Sequence, residues 1–560
     1  MADKRVEIYL GASSVVTCLG DKQQTLYAMY RGETGLLYSE RYGMYVGECR
    51  VASLPDFTRF ESLVLQTIKE VAEQCDLPLN SPDLQLIIST TKGNVELLAE
   101  GCQEIDQRAF LYGSAQRIAQ QIGAVHAPIV ISNACISGVS AFVVAQDVLL
   151  SKAQKHVVIV GCDVLSEFIT SGFASFRSIS SQPCRPYDAE RDGLTLGEAC
   201  GALLLTTEPR YATHPMVRLE GGAITNDANH ISGPSRTGDG LYYAISEAMQ
   251  QANAVQDDVA FVNTHGTATR YNDEMESKAL AWAELCSVPL NSLKGYIGHT
   301  LGASGVVETI LCVEQLRRGS IVATKGYLSS DLPYKLCLSD KPQTISGKCC
   351  VKSASGFGGC NAAIVLRLGA EESAKLDMPQ MRECREVARY ALPQSEKPFA
   401  EFIRAEFKSL GRSDMRFYKM SDLSKALYLA VERLLEQSPW EDVEPRRRAI
   451  ILANRASSLD TDAEHQRILN AELPEGASPA VFVYTLPNVA AGEMCIKHKI
   501  QGDNTFFVSE KYPSIAEDYA RSLISNDRAD AVVCGWCDYL AGEWDVEIKM
   551  LRCQNKNINI

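Results

Sequence analysis

The chain has 560 residues, too many for one hydrophobic core and enough for two or three domains. Hydrophobic residues make up 46% and charged residues 22%, which reads as globular, and a formal net charge of −14 argues against nucleic acid as the main partner. The 19 cysteines are scattered and odd in number, the N-terminus has no apolar signal core, and no run of 18 apolar residues occurs; reduced thiols in a cytoplasmic chain without a membrane span are expected.

In chain order, the pattern predicts a strand over 6–11 running into a small-residue turn, then a helix over 22–32 ended by glycine. An amphipathic helix over 58–75 carries Leu63, Val64, Ile68 and Val71 at helical spacing. A strand over 84–89, a helix over 115–122, a β-branched strand over 127–131, a buried helix over 139–150 and a strand over 156–161 follow. The alternation continues with strands over 201–206 and 217–224, a helix over 240–253 and a strand over 259–263. Helices over 272–284 and 304–317 and a strand pair over 348–353 and 362–368 complete it. Strands alternating with helices predict an α/β fold whose sheet is covered on both faces. Residues 370–387 are charged and aperiodic, hence a linker. Beyond it strands are predicted over 388–392, 449–453, 505–508, 531–535 and 546–551, with helices over 399–409, 421–435, 488–498 and 514–524.

Three segments carry chemistry. Ser132-Asn133-Ala134-Cys135-Ile136-Ser137-Gly138 puts a cysteine between a strand and a helix. There the free N–H groups and the helix dipole favour a thiolate; the plainer alternative is one buried cysteine among many. His265 follows a strand within Asn263-Thr264-His265-Gly266-Thr267-Ala268-Thr269, and His299 lies among Gly295, Gly298, Gly302 and Gly305. The other six histidines sit in ordinary contexts. One cysteine and two imidazoles suit acyl transfer: the thiolate takes the acyl group, and ring N–H groups stabilise negative charge on a second carbonyl. The glycine-rich stretch Ser355 to Asn361 is either a tight turn needing positive φ or a source of oxyanion-hole N–H groups.

Together these segments, with Lys294-x3-Gly298-His299-Thr300, Gly356-Phe357-Gly358-Gly359-x-Asn361 and Asn272-Asp273-x-x-Glu276, resemble the β-ketoacyl synthase family over about residues 5–369. The resemblance implies a thiolase-like layered αβαβα architecture with mixed sheets, in two halves of about 1–210 and 211–369. It implies that Cys135 accepts an acyl chain from acyl carrier protein. His265 and His299 would bind the malonyl thioester, promote loss of CO2 and stabilise the enolate, while Lys294, paired with Glu308, orders the site. The N–H groups of Cys135 and Phe357 would form the oxyanion hole, with Phe357 also a gate; Gly358, Thr267 and Thr269 are supporting residues. No metal or cofactor is expected, since phosphopantetheine arrives on the carrier protein. Glu198-Ala199-Cys200-Gly201 and Ser355 depart from the usual pattern and leave chain length open.

The tail, 388–560, echoes the first half. Aligning Gly535 with Gly161 places Ser509 opposite Cys135, and no histidine segments follow. It is therefore expected to be a degenerate thiolase-like half, resembling chain-length-factor partners. Cys534-Gly535-Trp536-Cys537 reads as two structural cysteines rather than a redox dithiol. The resemblance also implies dimerisation through the central sheet, as a homodimer or a ketosynthase/chain-length-factor heterodimer, unless the tail covers that surface. The expected function is decarboxylative condensation in fatty acid, polyketide or aryl-polyene-type synthesis; the alternatives are a non-catalytic scaffold and a plain acyltransferase.

Overall fold

A computed structural model describes residues 6–100, 105–369, 382–471 and 476–553. Its principal strands form three blocks of five. The first holds β1 (Ile8–Thr17), β2 (Leu84–Ser89), β3 (Ile129–Ile131), β4 (His156–Asp163) and β5 (Ala199–Thr206). The second holds β6 (Val217–Asn226), β7 (Val259–Asn263), β8 (Leu290–Asn291), β9 (Cys349–Gly356) and β10 (Cys360–Leu368). The third holds β11 (Cys384–Ala391), β12 (Arg448–Asn454), β13 (Phe506–Val508), β14 (Ala531–Leu540) and β15 (Glu543–Cys553).

Within every block the strands stand in the order first, fifth, fourth, second, third. The second strand pairs parallel with the third and fourth, and the fifth pairs antiparallel with the first and fourth. The three blocks are thus one motif used three times, with mixed sheets. β2 and β4 are buried along their whole lengths and rich in Ile, Leu and Val, as expected where both faces are covered.

Seven helices position the site: α1 (Arg59–Cys75), α2 (Ser137–Leu150), α3 (Asp239–Gln251), α4 (Ser304–Arg318), α5 (Asp422–Gln437), α6 (Asn488–His498) and α7 (Ser514–Ser525). Thr58 caps α1 in a capping box with Glu61. α1 packs on β1, β4 and β5, and α3 on β6 and β10, as outer layers. α2 touches β2 and β4 on one side and β6 and β10 on the other, so it lies between the two sheets beside α4. The helices meet at Gly138 and Gly305, where a Cβ on Gly305 would stand 2.3 Å from the Val139 nitrogen. The result is the expected αβαβα layering.

The blocks join edge to edge. β1 meets β6 at Ile8↔Leu219 and Tyr9↔Arg218, and β3 meets β13 antiparallel at Ile131↔Phe507 and Val130↔Val508. The tail therefore occupies the β3 edge, the arrangement expected if the tail covers the central-sheet surface. α2 is buried nearly all round, whereas α7 leaves Asp518 exposed and turns Ser522 onto α2, where its hydroxyl donates to the Asp147 carboxylate.

Several boundaries differ from expectation. Of the expected linker 370–387, residues 370–381 lie outside the described residues, and β11 already begins at Cys384. Helices Glu167–Ser175 and Leu459–Asn470 were not foreseen, and 480–484 forms helical turns. The Ser509 equivalence shifts by one residue: Gly535 pairs with Leu452 and Leu452 with Phe506, as Gly161 pairs with Ser89 and Ser89 with Ile131, so the tail position matching Cys135 is Glu510. Cys534 and Cys537 are both buried in β14 and project into different cores, as residues three apart on a strand must. Among the described residues, no helix is long and apolar enough to cross a membrane.

Candidate active site

Cys135 sits on a strained turn between β3 and α2. Ala134 takes φ 49°, which costs of order 1 kcal/mol in a non-glycine residue. The Ser137 hydroxyl fixes the turn, accepting from the Asn133 N–H (2.8 Å) and donating to the Ala134 carbonyl (2.6 Å). The same turn recurs before α4, where Leu301 takes φ 52° and the Ser304 hydroxyl accepts from the Thr300 N–H at 3.1 Å. Asp163 ties the Leu301 turn to the loop after β2 by accepting N–H bonds from Thr91, Lys92 and Gly302. The pseudo-repeat of the fold thus delivers Cys135 from one half and His299 from the other.

His265 leaves the end of β7. The buried Glu276 carboxylate shapes its loop, accepting from the backbone N–H of His265 (2.8 Å) and Gly266 (2.7 Å), from Asn272 (2.9 Å) and from the Tyr187 hydroxyl (2.8 Å). On His299, Nδ1 accepts from the Leu301 N–H at 3.3 Å and lies 3.2 Å from the Ser304 hydroxyl. An N–H aimed at Nδ1 leaves the ring proton on Nε2, which becomes a donor facing the cavity side. The two imidazoles stand edge to face with centroids 5.1 Å apart. The Cys135 sulfur and one nitrogen of each histidine all lie within 4.8 Å of one another, the tightest such trio of donors among the described residues.

Behind the histidines lies a buried charge cluster. Glu308 on α4 receives Lys294 Nζ on Oε1 at 2.8 Å and Lys352 Nζ on Oε2 at 2.7 Å, with every side chain 1% exposed. Burial opposes the Glu308 charge, yet Lys294 and Lys352 hold its carboxyl below the usual range. Burial first, and then Lys294, push both His265 and His299 well below the ordinary imidazole value, so both are neutral at pH 7. The expected resting thiolate is not found: burial pushes the Cys135 thiol up to about 12. Lys294 and the N–H groups of Cys135 and Phe357 oppose that rise without cancelling it. That these two N–H groups both reach the sulfur is the arrangement an oxyanion hole needs.

The cavity at Cys135 measures about 20 Å³, room for roughly one water. Phe173, Leu301 and Phe357 line it together with Phe482, Thr485 and Leu486 of the tail. The tail also grips the glycine-rich loop. Asn488 donates to the Phe357 carbonyl at 2.8 Å, and Gly492 lets α6 approach so closely that a Cβ there would stand 2.7 Å from the Gly358 oxygen. Gly358 itself takes φ 89°. A buried pair, Lys92 to Asp462 at 2.7 Å, locks the first half to the tail beside the same cavity.

Cys135, His265, His299, Lys294, Glu308, Phe357 and Gly358 therefore come together. Thr267 and Thr269 bond to each other at 2.9 Å ahead of helix Arg270–Trp282, and no hydrogen bond ties them to Cys135 or the histidines. Sequence reasoning did not single out Lys352, Asp163, Lys92, Phe482 or the role of Glu276. Lys352 carried a signal, a lone charge in the middle of an apolar strand.

Residues 109–210 match the family described as "Beta-ketoacyl synthase, N-terminal domain" and residues 216–327 the one described as "Beta-ketoacyl synthase, C-terminal domain". The polyketide biosynthesis malonyl-ACP decarboxylase PksF of Bacillus subtilis is 29% identical over 214 residues, 37% of this chain and 50% of that protein. The 3-oxoacyl-[acyl-carrier-protein] synthase 2 of Mycobacterium leprae is 32% identical over 246 residues, 41% of this chain and 58% of that protein. The chain thus spans about half the length of the curated relatives it matches. The solved PfaC keto synthase-chain length factor shares the fold, with a TM-score of 0.80 over 98% of this chain and 78% of that one at 14% identity.

Proposed function

The chain belongs to the β-ketoacyl synthase family, and from that premise we propose that it condenses a Cys135-bound acyl chain with malonyl carrier protein. The acyl group passes from the carrier's phosphopantetheine thioester to the Cys135 sulfur, and the thiol proton leaves with the carrier thiol. The malonyl thioester carbonyl then accepts hydrogen bonds from Nε2–H of His299 and from His265. Its C–C bond to the carboxylate breaks, CO2 departs, and the electron pair becomes an enolate held by those donors. The enolate carbon attacks the acyl carbonyl, whose oxygen gathers charge at the N–H groups of Cys135 and Phe357, and the Cys135 sulfur leaves. Neutral imidazoles suit this task because they donate without needing to take a proton.

One observation carries the reading: the sulfur and both imidazoles lie within 4.8 Å of one another. The tail serves as a chain-length-factor-like half supplied within the chain, supported by its place on the β3 edge and by Phe482 in the cavity wall. Acyl carrier protein is the partner, and neither metal nor bound cofactor takes part. The test is release of CO2 from malonyl carrier protein with an acyl chain on Cys135. His299→Ala is expected to slow it at least about a hundredfold; a rate within a few-fold of the native protein would remove the assigned role. A malonyl-carrier decarboxylase that never condenses is a second reading, favoured by the small cavity. It predicts CO2 release without any acyl adduct on Cys135.

A further inference from the structure

We propose that Lys352 is a positioning residue for the decarboxylation step, holding the second oxygen of Glu308 so that a second ammonium stands beside His265 and His299. The inference rests on the ketosynthase reading above. Lys352 lies in β9 among Cys349, Cys350, Val351, Ser353 and Ala354, all buried, and its side chain is 1% exposed. An ammonium in such a place needs a charge partner. It finds Glu308 at 2.7 Å and the Ser353 carbonyl at 2.7 Å, but Glu308 is already paired with Lys294 at 2.8 Å.

One lysine would neutralise Glu308; two leave a surplus. Two other buried carboxylates lie near the site: Glu276 accepts from the N–H groups of His265 and Gly266, and Asp163 from those of Thr91, Lys92 and Gly302. The further titratable groups around the pair are Cys135, Cys184, Cys350 and the two histidines. Lys352 pairs with Asn263, two residues before His265, and Glu308 lies one turn along α4 from Ser304, whose hydroxyl is 3.2 Å from His299 Nδ1. Both lysines depress both imidazoles, whereas Lys294 leads the charges that act on Cys135. Lys294 thus serves both half-reactions, and Lys352 the one in which an anion forms between the histidines.

The test compares native protein with K352M and K352Q at matched melting temperature. Acyl transfer from acyl carrier protein to Cys135 is followed by intact mass, and CO2 release from malonyl carrier protein by radiolabel. CO2 release is expected to slow by at least about tenfold, the order expected for loss of one nearby buried charge at an effective dielectric of about 20. Cys135 acylation is expected to slow by no more than about threefold, since Lys352 faces the histidines. The acid limb of the CO2-release profile should also move to higher pH, because the imidazoles lose a repelling charge. Equal slowing of both steps, or slowing of neither, overturns the proposal. A native protein that releases no CO2 removes the ketosynthase reading instead.

Discussion

Replacing Asp462 with Asn probes whether the tail is part of the active site or an appendage. Lys92 and Asp462 have side chains 4% and 6% exposed, and the ammonium also donates to the Ser458 hydroxyl at 3.2 Å and to the Thr485 carbonyl. Burial pulls the Lys92 pKa down and pushes Asp462 up to about 6, in each case against the pull of its partner. Desolvation therefore outweighs attraction at both ends. Such a pair is costly to break and cheap to replace: removing one charge destabilises by about 3–5 kcal/mol, whereas an apolar pair of similar volume is neutral or better. Against a domain stability of about 5–15 kcal/mol this is a large fraction, and at about 1–3 kcal/mol per molar urea it moves a midpoint by more than about 1 M. Of the four tryptophans, Trp440, Trp536 and Trp544 lie in the tail and Trp282 outside it, so fluorescence follows mainly the tail while circular dichroism follows the whole chain. D462N is expected to bring the fluorescence transition to lower urea, ahead of the dichroism. K92M/D462L together should restore most of the loss. An unmoved midpoint in D462N, or a double variant no better than the single one, would refute the reasoning.

Two further outcomes follow from the cavity. The Phe482 ring presses on Gly172 so closely that a Cβ there would stand 2.1 Å from it, and it faces Phe173 edge-on at 5.4 Å. Phe482→Ala should open the roughly one-water space beside Cys135, so that long acyl thioesters gain in acylation rate over short ones; an unchanged ratio would detach the tail from chain selection. The Cys135 thiol, raised to about 12 by burial, is mostly protonated at neutral pH, and its thiolate fraction grows tenfold per pH unit below that value. Alkylation of Cys135 by iodoacetamide should therefore keep rising with pH past the ordinary thiol value of about 8.5. A plateau at or below that value would show a thiolate stabilised by its helix, as the sequence suggested.

The chemistry was legible because it sits in loops whose residue types have few other uses. A histidine among four glycines and a cysteine at a strand–helix junction announce themselves, and the elements around them fell within a few residues of expectation. What stayed hidden depends on groups distant in sequence. β8 has two residues, too short to carry a pattern, and β3, foreseen as a strand, gave no sign that it is the edge on which the tail docks. Phe482 read as one apolar residue in an apolar run, and only the docking of the tail turns it toward Cys135. The thiolate expectation weighed the helix dipole without the burial that opposes it.

The threefold strand order explains how a catalytically silent half can still matter. In the first two blocks the third-strand turn delivers a functional side chain or its scaffold, and α2 and α4 bury each other between two sheets. The third block keeps the strand order and the outer helix but has no cysteine in the turn after its third strand. Freed from chemistry, its conserved geometry still brings one edge strand against β3, and with it the loop that leads into α6. That loop bears Phe482, Thr485 and Leu486 on the cavity, while Asn488 and Gly492 of α6 touch the glycine-rich loop that presents the Phe357 N–H. The tail is thereby positioned against the cavity that the other two halves form.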